Sequence, residues 1–224
     1  MRMAQAKETM LTQGWLGQTD RGFAERLLGI AQPIVASKGN HLIQEQEDAA
    51  GLVGIVEGSV ALQRSPANEG PIVTGIAGAG YWFGDYAFIT GSRRLVSAVV
   101  ASHQAMALGV SKPDLDRLLA EHPEYWRWIA LLSAINMEGT IVVASSLLIT
   151  DSYKRVCAIL IRLAQPDGDA AAVACRHEDL AEMSSLSRST VIRIIRALEG
   201  KGLVATDYGR IVINNLGLLQ RELN

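Results

Sequence analysis

The 224-residue chain has only two cysteines, Cys157 and Cys175, too few for a disulfide framework or a four-thiolate cluster. It has no excess of basic residues either: 21 Lys and Arg stand against 23 Asp and Glu, a formal charge of −2. A nucleic-acid partner would therefore have to be met by a local patch rather than by a field from the whole molecule. The opening stretch MRMAQAKETMLTQGWL lacks the unbroken apolar core of a signal peptide, which makes the cytoplasm the expected location. There is no nucleophile elbow, P-loop, metal-ligand cluster or spaced carboxylate pair, and Asp85 with His103 is too thin a basis for catalysis. The expectation is a protein that is not an enzyme and holds neither metal nor cofactor. Internal repeats and low-complexity tracts are also missing. What is present, 49% hydrophobic and 20% charged residues, suffices for a substantial core in one or two domains.

One apolar stretch, Ile129 to Thr150, approaches the length of a membrane span, but Asn136, Glu138 and Gly139 interrupt its middle. As a helix it sets Ala130, Ala134, Met137, Ile141, Ala144 and Leu148 at alternating spacings of four and three, the spacing of a coiled-coil seam. Ile135, Val142 and Val143 add apolar surface beside it. The pattern predicts a dimer helix, buried against a partner and against its own domain, and no membrane.

From about Pro33 to Val110 the chain reads as short strands broken by glycine turns: LVGIVEGSVALQ, PIVTGIAGAGYWFGD, RLVSAVVAS and AMALGV. Such runs predict an antiparallel barrel or sandwich. A helix is expected around Asp20 to Ala31, with Phe23, Leu27, Leu28 and Ile30 on its apolar face. Another opens at SKPDLDRLLAEHPEYW, with Ser111 as N-cap and Pro113 in the first turn. Asp151 to Leu163 reads as helix and 164–172 as a loop.

The stretch HEDLAEMSSLSRSTVIRIIRALEG, 177–200, holds two helical patterns around a short polar break. Leu180, Ala181 and Met183 form the apolar side of the first; Val191, Ile194, Ile195 and Leu198, spaced i, i+3, i+4, i+7, form that of the second. Ser187 is placed to cap the second helix, leaving Ser184 to Leu186 as the turn of a helix-turn-helix. The outer face of the second helix carries Arg188, Ser189, Ile192, Arg193 and Arg196. An arginine near such a helix start is suited to donate two hydrogen bonds to guanine O6 and N7 in the major groove. GLVATDYGRIVINN then supplies two short apolar strands around a Tyr-Gly turn, the form of a β-wing.

LAEMSSLSRSTVIRIIRALEGKGLV, with GRIVI after it, resembles the winged helix-turn-helix of the cyclic-AMP receptor and fumarate/nitrate regulator (CRP/FNR) family of bacterial transcription factors. Ser187, Arg188, Thr190 and Val191 match the family's Ser-Arg-x-Thr-Val core. GIVEGSVAL and GAGYWFGDYAF resemble its β-roll sensor repeats, so the similarity covers nearly the whole chain. It implies an α+β protein: an N-terminal β-roll, jelly-roll-like sensor domain at 1–112 that resembles a cyclic-nucleotide-binding domain, a dimerisation helix region at 113–150, and a C-terminal winged helix-turn-helix at 151–224. It further implies a homodimer on double-stranded DNA, with Ala134, Met137, Ile141, Ala144 and Leu148 at the interface and RNA polymerase as a further partner. Arg188 and Arg193 would read bases, while Thr190 and His177 would meet phosphates. Ser189 lies where some relatives carry a glutamate, so the outer guanine is expected to be read while the inner positions change. Ser185 stands where relatives often have glycine, and an altered turn is expected there.

The sensor departs further. In cyclic-nucleotide-binding members, a run beginning Phe-Gly-Glu ends in Arg-Ser/Thr-Ala, the acid bonding the ribose and the arginine the phosphate. Here the run begins Phe83-Gly84-Asp85 and ends Val96-Ser97-Ala98, with valine at the arginine's position. Losing that charge makes an ordinary cyclic-AMP response unexpected, and the effector is left unknown. The alternative is a cyclic-nucleotide- or small-anion-responsive regulator. In it Arg94, two residues before Val96, serves the pocket if both lie on one strand; the simpler reading of Arg93-Arg94 is a solvated loop tip. An iron–sulfur sensor is excluded, because the sensor half has no cysteine. Haem would need an axial His, Cys or Met, for which His41 and His103 are available, and lone histidines in strand-rich regions are more commonly surface or core residues. Cys157 and Cys175 read as structural small residues.

Overall fold

A computed structural model of the chain describes residues 3–66, 70–167, 170–173, 175–207 and 210–223. By their internal contacts the residues form two compact units, one of Met1–Arg64 with Ala77–Glu138, the other of Ser65–Ile76 with Gly139–Asn224.

The first unit opens with helices α1 (Met3–Thr12) and α2 (Arg21–Ile30). Asp20 caps α2 by accepting from the Phe23 N–H, and Phe23, Ala24, Leu27 and Leu28 form its buried side. The strands follow: β1 (Gln32–Ser37), β2 (His41–Ile43), β3 (Gly51–Glu57), β4 (Val60–Arg64), β5 (Ile72–Ala77), whose residues up to Ile76 are grouped with the second unit, and β6 (Trp82–Phe83). A short helix, α3 (Asp85–Thr90), precedes β7 (Ser97–Val100) and β8 (Gln104–Ser111). The sheets have the orders β1-β8-β3-β6 and β2-β7-β4-β5, the antiparallel β-roll anticipated from the glycine-punctuated strands. Ile55, Val60, Phe83, Ala98, Val100 and Ala107 fill the space between them. Gly54 lies opposite Trp82 in the ladder, and a Cβ there would come within 2.3 Å of the indole, so only glycine lets Trp82 lie flat on β3. Trp82 in turn meets Trp15 edge-on at 5.6 Å, joining the roll to the apolar cluster of α2.

The unit closes with α4 (Lys112–Glu121), capped by Ser111 with Pro113 in its first turn, and with the part of α5 (Trp126–Leu147) up to Glu138; the rest of α5 falls in the second unit. Pro123–Leu147 is long and apolar enough to cross a membrane by length and composition. The first half of α5 instead packs into its own domain, where Ile129 and Leu132 are fully buried beside Phe23 and Tyr125. The second half carries an uncovered apolar stripe: Met137 and Ile141 are 61% and 56% exposed, and Leu148, just past the helix end, is 82% exposed. Ala134 and Ala144 are exposed as well.

In the second unit, Asp151 caps α6 (Ser152–Leu163) through the N–H groups of Tyr153 and Lys154. Strands β9 (Gln165–Asp167) and β10 (Ala170–Val173) pair as a hairpin, so the expected loop at 164–172 is corrected among the described residues. Then come α7 (His177–Ser184), α8 (Arg188–Gly200), β11 (Val204–Asp207), β12 (Arg210–Ile213) and α9 (Leu216–Arg221). Their sheet has the order β11-β12-β10-β9. β10 gains its place there by pairing with β12, with Ala171 opposite Ile213. β11 and β12 form the antiparallel wing, from Val204 opposite Ile213 to Asp207 opposite Arg210. The Tyr208-Gly209 turn expected between them lies outside the described residues.

Candidate nucleic-acid interface

The recognition element is built from local bonds. Arg176 holds Asp179 with two guanidinium hydrogen bonds, at 2.7 and 3.1 Å, and donates its backbone N–H to the same carboxylate, closing the start of α7. Asp179 is buried and Arg176 is mostly exposed, so the cation covers the acid from the solvent side. At the other end, the buried Ser184 hydroxyl donates to the Leu180 carbonyl at 2.6 Å, and Ser185 turns the chain at φ 52° and ψ 45°. The altered turn expected from the missing glycine is thus corrected: serine adopts the left-handed conformation itself, at a cost in backbone strain.

Ser187 then caps α8, its hydroxyl accepting from the Thr190 N–H at 3.2 Å. Val191, Ile194, Ile195 and Leu198 are buried, as the periodicity predicts. Arg188, Ser189, Arg193 and Arg196 are exposed on the opposite side, and Thr190 is half-buried. Among the described residues, Arg193 and Arg196 make no ion pair, whereas Arg188 Nε lies 2.7 Å from Glu178 Oε1 on α7. The Ser189 hydroxyl lies 2.9 Å from that of Ser187. His177 is half-buried, and its Nε2 is enclosed without a partner, so that nitrogen does not face solvent. Glu199, the acid that ends the basic face, accepts from the Thr206 N–H and hydroxyl and ties α8 to the wing.

The sensor residues do not converge as the resemblance implies. Asp85, 7% exposed, accepts from Ser133 Oγ at 2.7 Å and from Asn136 Nδ2 at 2.8 Å. Both donors lie on α5, so the acid corresponding to a ribose partner is bonded to the long helix instead. Ser97 Oγ accepts from the Glu45 N–H at 2.9 Å, and Ala98 is fully buried in the roll. Val96 is half-buried.

Arg94 overturns the solvated reading. It is 4% exposed, while its neighbour Arg93 is exposed and pairs loosely with Asp48 at 3.6 Å. β7 begins only at Ser97, so no shared strand aligns Arg94 with Val96. The chain around Gln46 and Glu47 folds over Arg94, each exchanging one backbone hydrogen bond with it at 2.9 Å. The guanidinium is directed towards Gly51 and Gly84: Nη2 makes one long 3.4 Å bond to the Gly51 carbonyl, and Nη1 lies 3.2 Å from where a Cβ on Gly84 would stand. Gly84 has φ 105° and a Cβ would strike the Gly51 carbonyl, so glycine is required for this close approach. Nε and Nη1 are enclosed without any hydrogen-bond partner. Burial pulls the pKa of Arg94 down, while the charge of Glu47 opposes that shift without overcoming it.

His41 and His103, the residues available to a haem, are both exposed. Among the described residues, no three His, Cys, Asp or Glu side chains are grouped to hold a metal ion. Cys157 and Cys175 are buried free thiols pushed up to about 12, chiefly by burial, and so are poorly reactive at neutral pH.

Residues 33–122 match the cyclic nucleotide-binding domain and residues 154–222 the Crp-like helix-turn-helix domain. The chain belongs to the CRP/FNR family of transcription regulators. It is 27% identical to the cAMP-activated global transcriptional regulator CRP of Haemophilus influenzae over 77% of this chain and 79% of that protein. Its fold is shared with FixK2 of Bradyrhizobium japonicum, with a TM-score of 0.73 and 17% identity over 86% of this chain and 96% of the other. It is also shared with the c-di-GMP responsive global regulator CLP of Xanthomonas campestris, with a TM-score of 0.67 and 20% identity over 88% and 100%. A CRP/FNR regulator of this build has a helix-turn-helix for DNA and a sensor of the cyclic-nucleotide-binding type. Sequence reasoning missed three of its features: the Glu178 partner of Arg188, the α5 partners of Asp85 and the burial of Arg94.

Proposed function

We propose that the protein acts as a homodimer on a two-fold DNA operator, with residues 1–112 as sensor, 113–150 as dimerisation region and 151–224 as DNA reader. Arg188 and Arg193 read bases, Ser187, Ser189 and Thr190 fix the start of α8 against the duplex, and the α7 terminus at His177 approaches a phosphate. The carrying observation is the exposed basic face of α8, held rigid by the Ser187 cap and by four buried apolar residues on its other side. The uncovered stripe of α5 at Ala134, Met137, Ile141 and Ala144, continued by Leu148 just past its end, supports the dimer. Selection of bound duplexes from a randomised pool by the full-length protein tests this reading. It should return a two-fold site whose half-sites lie about 34 Å apart, one helical turn; an asymmetric or sequence-independent outcome would contradict it.

On the input side, the protein does not respond to cyclic AMP in the manner of the cyclic-AMP-binding members. The engagement of Asp85 by α5 and the valine at position 96 support this. A second reading, a small-anion-responsive regulator, is favoured by one observation: the enclosed guanidinium of Arg94, whose Nε and Nη1 have no hydrogen-bond partner. A buried cation with two of its three nitrogens unpartnered is costly, and an anion seated on them would remove much of that cost. Thermal shift titrations with inorganic phosphate and with cyclic nucleotides, on the parent and on Arg94→Ala, decide between the two. A saturable shift in the parent that Arg94→Ala abolishes would establish the anion response; no shift with any probe would leave the first reading standing.

A further inference from the structure

Glu178 sits in the first turn of α7, and its carboxylate lies 2.7 Å from Arg188 Nε, the first residue of α8. Both side chains are substantially exposed, 44% and 62%, so the pair is a weak contributor to folding stability. An acid on the side that a duplex approaches also repels phosphates. Its other cationic neighbour, Arg176, is already held by Asp179 through two hydrogen bonds. Arg188 is therefore the cation that Glu178 serves.

We infer that Glu178 is a positioning residue that fixes the guanidinium of Arg188 for guanine and thereby sets sequence discrimination rather than affinity. The inference rests on the proposal that Arg188 reads a base. A free arginine side chain explores many rotamers and meets phosphates as readily as base edges. Contact at Nε restrains the inner part of the group and leaves the end formed by Nη1 and Nη2 as the edge for guanine O6 and N7. The acid also lowers the net positive charge at the start of α8, which weakens sequence-independent attraction to phosphate. Both effects act in one direction: less binding to any duplex, and more of the remaining binding directed to the correct base.

The test measures affinity of the full-length protein for the selected operator, for operators changed at each position, and for a random duplex, at one salt concentration. Parent, Glu178→Gln, Arg188→Ala and the double variant are compared. Glu178→Gln is expected to bind random duplex several-fold more tightly and to lose about fivefold or more of its preference for guanine at the one position that Arg188→Ala also affects. In the Arg188→Ala background the same change should leave base preference untouched. If Glu178→Gln tightened binding to every duplex equally and kept its base preferences, Glu178 would be a repulsive charge only and the inference would fall. If Arg188→Ala altered preference at no position, the reading of Arg188 itself would fail instead. Glu178→Asp, which keeps the charge, is expected to keep part of the preference; matching Glu178→Gln would count against positioning by charge.

Discussion

The two functional ends of the chain treat arginine in opposite ways. On α8, Arg188, Arg193 and Arg196 stand in solvent, and Arg188 is additionally paired with Glu178. In the sensor, Arg94 is enclosed, with Nε and Nη1 unpartnered and a single long bond from Nη2. The exposed cations cost the fold almost nothing and are available to a polyanion whose approach releases counterions. The buried cation burdens the fold in the absence of a partner, and its removal is expected to relieve that burden. The side chains proposed to meet DNA are thus ones that folding leaves free, whereas Arg94 is one that folding leaves largely unsatisfied.

The largest expected effect lies outside both sites, at the proposed dimer seam. Ile141→Lys places a charge in the exposed stripe of α5 and should convert the dimer to monomer in sedimentation, with a loss of operator affinity on the order of 100-fold as the second half-site is lost. An unaffected dimer would move the interface elsewhere. Next come the residues proposed to read bases: Arg188→Ala and Arg193→Ala should each weaken operator binding by about 1–3 kcal/mol while changing random-duplex binding less, measured by fluorescence anisotropy. At the sensor end, Asp85→Ala strips the acceptor from Ser133 and Asn136 and should lower stability by about 1–3 kcal/mol in denaturant unfolding.

The comparison of arginines is then tested directly. Arg94→Met should stabilise the protein by about 1 kcal/mol, since an apolar side chain replaces a buried charge held by a single long hydrogen bond. Arg188→Met should leave stability within about 0.5 kcal/mol, as expected of an exposed position. Equal responses would erase the distinction between the two ends. The smallest effect is expected at the turn: Ser185→Gly relieves the positive φ and should stabilise by about 0.5 kcal/mol, the strain relief exceeding the entropic cost of glycine.

The parts legible in the sequence were those specified by neighbours. The Ser187 cap, the i, i+3, i+4, i+7 apolar positions of α8 and the Asp20 and Ser111 caps are all set within one or two turns. The strands of the roll announced themselves through glycine spacing. What escaped was short or long-range. α3 has six residues and sits in a run that reads as strand, while β9 and β10 are too short to show periodicity and depend on β12 for pairing. α1 and α9 were likewise unanticipated. Asp85 finds its partners 48 and 51 residues away, and Arg94 bonds a carbonyl 43 residues distant beneath a fold of chain around Gln46 and Glu47. No local pattern separates such an arginine from the solvated Arg93 beside it.

The account's central claim is that the DNA reader is intact while the sensor has left the cyclic-AMP mode. Its most direct test is the affinity of the full-length protein for its selected operator, measured at one salt concentration with and without saturating cyclic AMP. The account predicts tight, sequence-dependent binding that changes by less than about twofold when the nucleotide is added. An increase of about tenfold or more would mean that the pocket still couples cyclic AMP to DNA through residues other than those at positions 85 and 96, and would contradict it.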